Sequence, residues 1–111
     1  MSDDKQVLSE DDVAAEQLVA WTYDAADGGS LRSTFDTGDF ATGLALVNKI
    51  GELAEAVNHH PDLVLTYPAV SVLLTSHDVG GVTVRDVRMA RSITERAAGL
   101  GVMPQQGTAG G

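Results

Sequence analysis

From Asp39 to His59, in "DFATGLALVNKIGELAEAVNH", Phe40, Leu44, Val47, Ala54 and Val57 recur at helical spacing. Pro61 disfavours helical geometry at the residue before it, which places the end of this helix near His59. Immediately beyond, "DLVLTY" and "AVSVLLTSH" are rich in Val and Leu and read as two strands with a bend at "YP". A long helix handing over to a strand pair at His59-His60-Pro61 is the strongest constraint on the fold. Leu46, Ile50 and Leu53 widen the helix's apolar arc beyond one stripe, so it is expected to pack on a sheet and on something further.

The remaining segments complete an alternation of helices and strands. Ser9 is a good N-cap with acidic residues behind it, which starts a short helix in "LSEDDVAAEQLV". In "AWTYDAADGGSLRSTF", Trp21 and Tyr23 alternate before an Asp-Gly-Gly-Ser turn, the pattern of a hairpin. Gly80 and Gly81 break the later strand, and "TVRDVRMARSITERAAGLG" forms a last helix capped by Thr83 and ended by Gly99 or Gly101. The order α-β-β-α-β-β-α predicts an α+β fold with helices layered on a four-stranded antiparallel sheet. With 111 residues there is room for one core, which we place at residues 9–100, with 1–8 and 101–111 as flexible tails. A core this thin is easily thickened by oligomerisation.

Charge narrows the partners. Seven Lys and Arg face sixteen Asp and Glu, a net charge of -9, which argues against nucleic acid and anionic membrane. The one basic cluster, Arg85, Arg88, Arg91 and Arg96, projects onto a solvent face of the last helix. Without cysteine there is no thiol nucleophile or thiolate metal site, and "MSDDKQVLSEDD" lacks the order of a signal peptide. No apolar run is long enough to span a bilayer, and the cytoplasm is the expected location.

Titratable groups gather at element ends. Glu55 stands four residues before His59, so the two are expected on one side of the long helix, where the carboxylate would orient the imidazole. His60 is expected to point elsewhere, and His77 ends the later strand, where it can approach His59. Three such imidazoles suit proton transfer near neutral pH without a nucleophile. Met89, Ala90, Ile93, Ala97 and Leu100 share one face of the last helix, and Asp86 falls in the middle of it. That carboxylate needs a partner: either Thr83 and Asp86 form a reciprocal cap, or Asp86 orients a site group. A metal held by His59, His60, His77 and Asp78 is disfavoured because adjacent histidines diverge. Ser71 and Ser76 lie in a strand pattern with no nucleophile elbow.

The ordered string Glu55, three residues, His59-His60-Pro61, five residues, Tyr67, nine residues, His77, eight residues, Asp86 resembles the signature of the pterin-4a-carbinolamine dehydratases. "SHDVGGVT" from Ser76 to Thr83 is similar to that family's Thr-His-Asp-x-Gly-Gly-Leu-Thr, and Trp21 falls where the family has a tryptophan after its first helix. The resemblance implies a four-stranded antiparallel sheet with three helices on one face, assembled as a homodimer or homotetramer. It also implies loss of water from a 4a-hydroxytetrahydropterin to give quinonoid dihydropterin, with no cofactor and no metal, in support of an aromatic amino acid hydroxylase pathway. By position, His59 and His77 would be the acid/base pair, with His60 binding and orienting the pterin. Glu55 and Asp86 would support them, and Pro61, Ser76, His77, Asp78 and Val79 would line the substrate pocket. Two positions depart from the pattern: Leu63 replaces a common tryptophan wall, and Pro68 a common asparagine. The resemblance also implies an alternative, a non-catalytic interaction protein of the same fold acting as a dimerisation cofactor or assembly factor.

Overall fold

Alternation along two central strands decides which face of the sheet is covered. A computed structural model describes residues 4–105. Its elements are α1 (Glu10–Ala15), β1 (Thr22–Asp24), β2 (Ser30–Asp36), α2 (Phe40–Val57), β3 (Asp62–Leu65), β4 (Ala69–Leu74), α3 (Val84–Gly99) and β5 (Met103–Pro104). Leu31, Ser33 and Phe35 of β2 and Val70, Val72 and Leu74 of β4 are buried, while their neighbours Arg32 and Asp36 are exposed. The buried set meets Leu46, Ile50 and Leu53 from α2 and Met89, Ala90 and Ile93 from α3 in a single core. Each fully buried large side chain there contributes on the order of 2 kcal/mol relative to exposure.

The strands are antiparallel in the order β1-β2-β4-β3, and β2 to β4 is the longest ladder, from Leu31 opposite Leu74 to Asp36 opposite Ala69. The fold class is the expected one, three helices on an antiparallel sheet, with a fifth strand added to the four. β5 pairs Pro104 with Phe35 and Met103 with Asp36, alongside the half of β2 that β1 leaves open. It lies within the segment read as a tail, where Pro and Gly composition hides a two-residue strand. Val102, just before it, is buried in the core.

Both long helices are capped by side chains, the last one by Thr83 as expected. The Asp39 carboxylate accepts from the Thr42 N–H at the start of α2, and Thr83 accepts from the Arg85 N–H at the start of α3. The wide arc of α2 divides in two. Gly43, Leu46, Ile50, Leu53 and Ala54 are buried, whereas Phe40, Leu44 and Val57 remain 48%, 46% and 54% exposed.

A glycine junction fixes the loops around the candidate site. Gly28, at φ +94°, passes so close to the Gly80 carbonyl that a Cβ there would collide with it, and a Cβ on Gly81 would come within 2.8 Å of the Val7 side chain and 3.0 Å of the Gly28 carbonyl. The N-terminal segment is tied to the same loop, since the Leu8 N–H donates to the Val82 carbonyl at 2.8 Å. The turns after β1 and β4 are thereby locked together, and Ser76 is held opposite Gly81 by an isolated bridge.

Candidate active site

The direction of each imidazole is set by how α2 ends. Asn58 adopts the left-handed conformation at φ 54° and ψ 46°, which asparagine tolerates better than most residues. Its N–H and that of His59 both donate to the Ala54 carbonyl, so the chain folds back before Pro61 carries it into β3. The reversal sends the two histidines to different partners. His59 Nε2 lies 2.6 Å from Asp86 Oδ1 on α3, and His60 Nε2 lies 2.7 Å from Glu55 Oε2 on α2. Glu55 therefore partners His60 and not His59. The expected spacing of four residues presumed that the helix continued through Asn58.

Asp86 is fully buried and fully engaged. Its Oδ2 accepts from the Ser76 hydroxyl at 2.7 Å and from the Thr83 N–H at 2.9 Å, while Oδ1 faces His59. The reciprocal cap runs through Oδ2, and the same carboxylate meets His59 through Oδ1. Ser76 Oγ also lies 2.9 Å from Thr83 Oγ1, and both side chains are completely buried. A buried charge with this many donors is compensated where a bare one would be prohibitive.

His59, with its side chain only 12% exposed, lines a cavity of about 230 Å³ with Leu53, Val57, Arg85, Arg88 and Met89. His77 lines a second cavity of about 240 Å³ with Gly29, Arg32, Asp62, Thr75 and Gly80. The two share no lining residue, and hydrogen bonds through Asp86 link His59 to Ser76, the residue before His77. His77 is exposed and has no hydrogen-bond or ion-pair partner among the described residues. Pro61 and Val79 are half-buried at the ends of the two loops.

Asp78 is exposed and bonded to Arg85 Nη2 at 2.9 Å. That hydrogen bond from the Arg85 side chain holds the Asp78 carboxyl below the usual carboxylate range, against desolvation and with help from the Arg85 charge. Arg85 Nε in turn donates to the Asp4 carbonyl at 2.9 Å, so one member of the expected solvent-facing basic cluster is instead a half-buried brace. Sequence reasoning did not find this brace, nor the Ser76 to Thr83 contact. The only local signal for the latter was the Thr83-x-x-Asp86 cap.

A family model described as pterin 4 alpha carbinolamine dehydratase matches residues 6–96. A Nostoc sp. protein whose name places it among the pterin-4-alpha-carbinolamine dehydratases is 39% identical over 92 residues, covering 81% of this chain and 96% of that protein. A similarly named Gloeobacter violaceus protein is 37% identical over 90 residues, covering 80% and 98%. Among solved structures, a Brucella melitensis protein described as a transcriptional coactivator/pterin dehydratase superposes with a TM-score of 0.75 at 27% identity, covering 81% of this chain and 97% of that one.

Proposed function

The chain belongs to the pterin-4-alpha-carbinolamine dehydratase family, and from that premise we propose that it is a hydro-lyase that dehydrates 4a-hydroxytetrahydropterin to quinonoid dihydropterin and water. In this reaction the C4a–O bond breaks as the hydroxyl gains a proton and leaves as water, while the N5 proton is removed and N5 joins C4a by a double bond. Positioned acids and bases suffice. His59 and His77 serve as the acid/base pair and His60, steadied by Glu55, binds and orients the pterin. Pro61, His77, Asp78 and Val79 form the rim on which it rests, with Ser76, expected there from the sequence, buried behind them.

The observation that carries this reading is the 2.6 Å contact of His59 with the fully buried Asp86. A neutral imidazole anchored through Nε2 by an ionised carboxylate keeps its lone pair on Nδ1, the arrangement a general base needs. His77, with no partner of its own among the described residues, is free to exchange protons with substrate or solvent.

The test follows the ultraviolet absorbance of freshly made 4a-hydroxytetrahydropterin. Acceleration by the parent, lost in folded His59→Ala and His77→Ala variants, supports the assignment. A folded parent no faster than the uncatalysed reaction overturns it, and a single histidine variant that keeps the full rate removes its cavity from the site.

The partners belong to the same proposal: a homodimer or homotetramer formed over exposed Phe40, Leu44 and Val57, acting in the cytoplasm in support of an aromatic amino acid hydroxylase pathway. The Brucella melitensis protein, named as a coactivator as well as a dehydratase, favours a second reading, an interaction protein of the same fold. It predicts partner binding that survives the loss of His59 and His77.

A further inference from the structure

Counting protons around Asp86 gives the polar contacts beside it a direction. A hydroxyl has one proton to donate, and that of Ser76 goes to Asp86 Oδ2 at 2.7 Å. In the 2.9 Å contact between Ser76 Oγ and Thr83 Oγ1, the donor is therefore Thr83. Thr83 Oγ1 in turn accepts from the Arg85 backbone N–H at 3.2 Å and from Arg85 Nε at 3.3 Å. The bonds run one way, from Arg85 to Thr83 to Ser76 to Asp86. Each donor polarises the next, which strengthens the chain in a buried, low-dielectric setting. Oδ2 already faces two donors, the Ser76 hydroxyl and the Thr83 N–H, so it carries no proton, and Oδ1 is left to His59.

We infer that Thr83 and Ser76 are positioning residues for His59: their two hydroxyls form a one-way relay that fixes the Asp86 carboxylate, and through it the Nε2–H tautomer of the imidazole. Ser76 is completely buried, so it acts through Asp86, leaving its neighbours to meet a substrate. Thr83 thereby acquires a task beyond capping α3. The catalytic half of the inference rests on the dehydratase reading, while the tautomer half stands without it.

Imidazole N–H resonances, read by proton and nitrogen NMR on the full chain, test it. The parent shows a downfield Nε2–H signal, assigned by its loss in His59→Gln. Ser76→Ala, which removes the donor to Asp86, moves that signal upfield the most, Thr83→Val, which leaves that donor but no longer polarises it, moves it less, the double variant goes no further than Ser76→Ala, and Thr83→Ser, which keeps the hydroxyl, restores the parent position. In the dehydration assay kcat of Ser76→Ala falls on the order of tenfold with KM unchanged, the size of one lost hydrogen bond to a charged acceptor, Thr83→Val loses less, and the double variant is no worse than Ser76→Ala. A signal that stays in place while thermal stability falls overturns the inference, since Thr83 and Ser76 would then only cap and pack. Absence of the signal from the folded parent, or shifts that add in the double variant, overturns it too. A parent with no dehydratase activity but the expected NMR pattern removes the proposed function and leaves the relay.

Discussion

Two histidine–carboxylate pairs stand one residue apart at the end of α2, and their lengths are nearly the same: 2.6 Å for His59 with Asp86 and 2.7 Å for His60 with Glu55. Their surroundings are opposite. Asp86 is wholly buried and His59 nearly so, whereas the Glu55 and His60 side chains are 80% and 54% exposed. In water the attraction between such groups is largely offset by their lost hydration and freedom, and exposed pairs contribute about 0 to 1 kcal/mol. In the interior, removing one partner strands the others without solvent, which costs several times more. Contact distance thus says little about what a pair does, and burial says most of it.

The same isosteric change at each pair is the sharpest way to break this comparison. Asp86→Asn can keep its amide oxygen toward Ser76 and Thr83, but its NH₂ then faces His59 and forces the imidazole into the Nδ1–H tautomer. We expect the fold to survive with a loss of about 1 to 2 kcal/mol, and dehydration to fall by on the order of a hundredfold or more, as when a buried orienting aspartate is neutralised elsewhere. Asp86→Ala leaves the Ser76 hydroxyl, the Thr83 N–H and His59 without their acceptor, for a loss of roughly 3 kcal/mol or more. Urea unfolding and the absorbance assay check both. An Asp86→Asn variant with the parent's rate would show that burial gives this pair no functional weight.

The pairing pattern was only partly legible in the sequence, for a physical reason. Periodicity located α2, α3, the hairpin and the strand pair, because apolar spacing reports which face is buried. It also placed Asp86 in the apolar face of α3 and so announced that a partner existed. It could not name His59 as that partner, because the contact depends on how α2 and α3 lie across the sheet. The left-handed turn at Asn58 was equally invisible, and it sends Glu55 to His60. β5 was missed because two residues carry no period, and its position is decided by the free half of β2. The Thr83 to Ser76 contact was hidden by six intervening positions and closed by the glycine junction.

Arg85 and Asp78 form an intermediate case, with side chains 23% and 46% exposed. The Asp78 carboxyl titrates below its ordinary value because of the hydrogen bond from Arg85. A folded-state value below the unfolded one means the contribution is complete above the ordinary value near 3.8 and is lost as pH falls through the lower folded value. Arg85→Gln is therefore expected to lower the urea midpoint at pH 6 and to approach the parent near pH 3. A deficit that stays constant across that range would assign Arg85's role to its bonds with Asp4 and Thr83 alone.

The exposed pair supplies the smallest effect and the cleanest control. Glu55→Gln keeps the shape and a hydrogen-bonding oxygen toward His60, and the lost charge was facing water on both partners. Stability is expected to change by less than about 0.5 kcal/mol, and any change should vanish in about 1 M salt, where screening acts over roughly 3 Å. If His60 orients the pterin as proposed, KM rises by no more than about threefold, the kinetic equivalent of so weak a pair. A much larger rise in KM, insensitive to salt, would mean that the Glu55 to His60 pair becomes buried when the pterin or a second copy of the chain covers it. The contrast between the two pairs would then belong to the uncovered chain, and exposed Phe40 and Leu44 on the same helix would be the place to look for what does the covering.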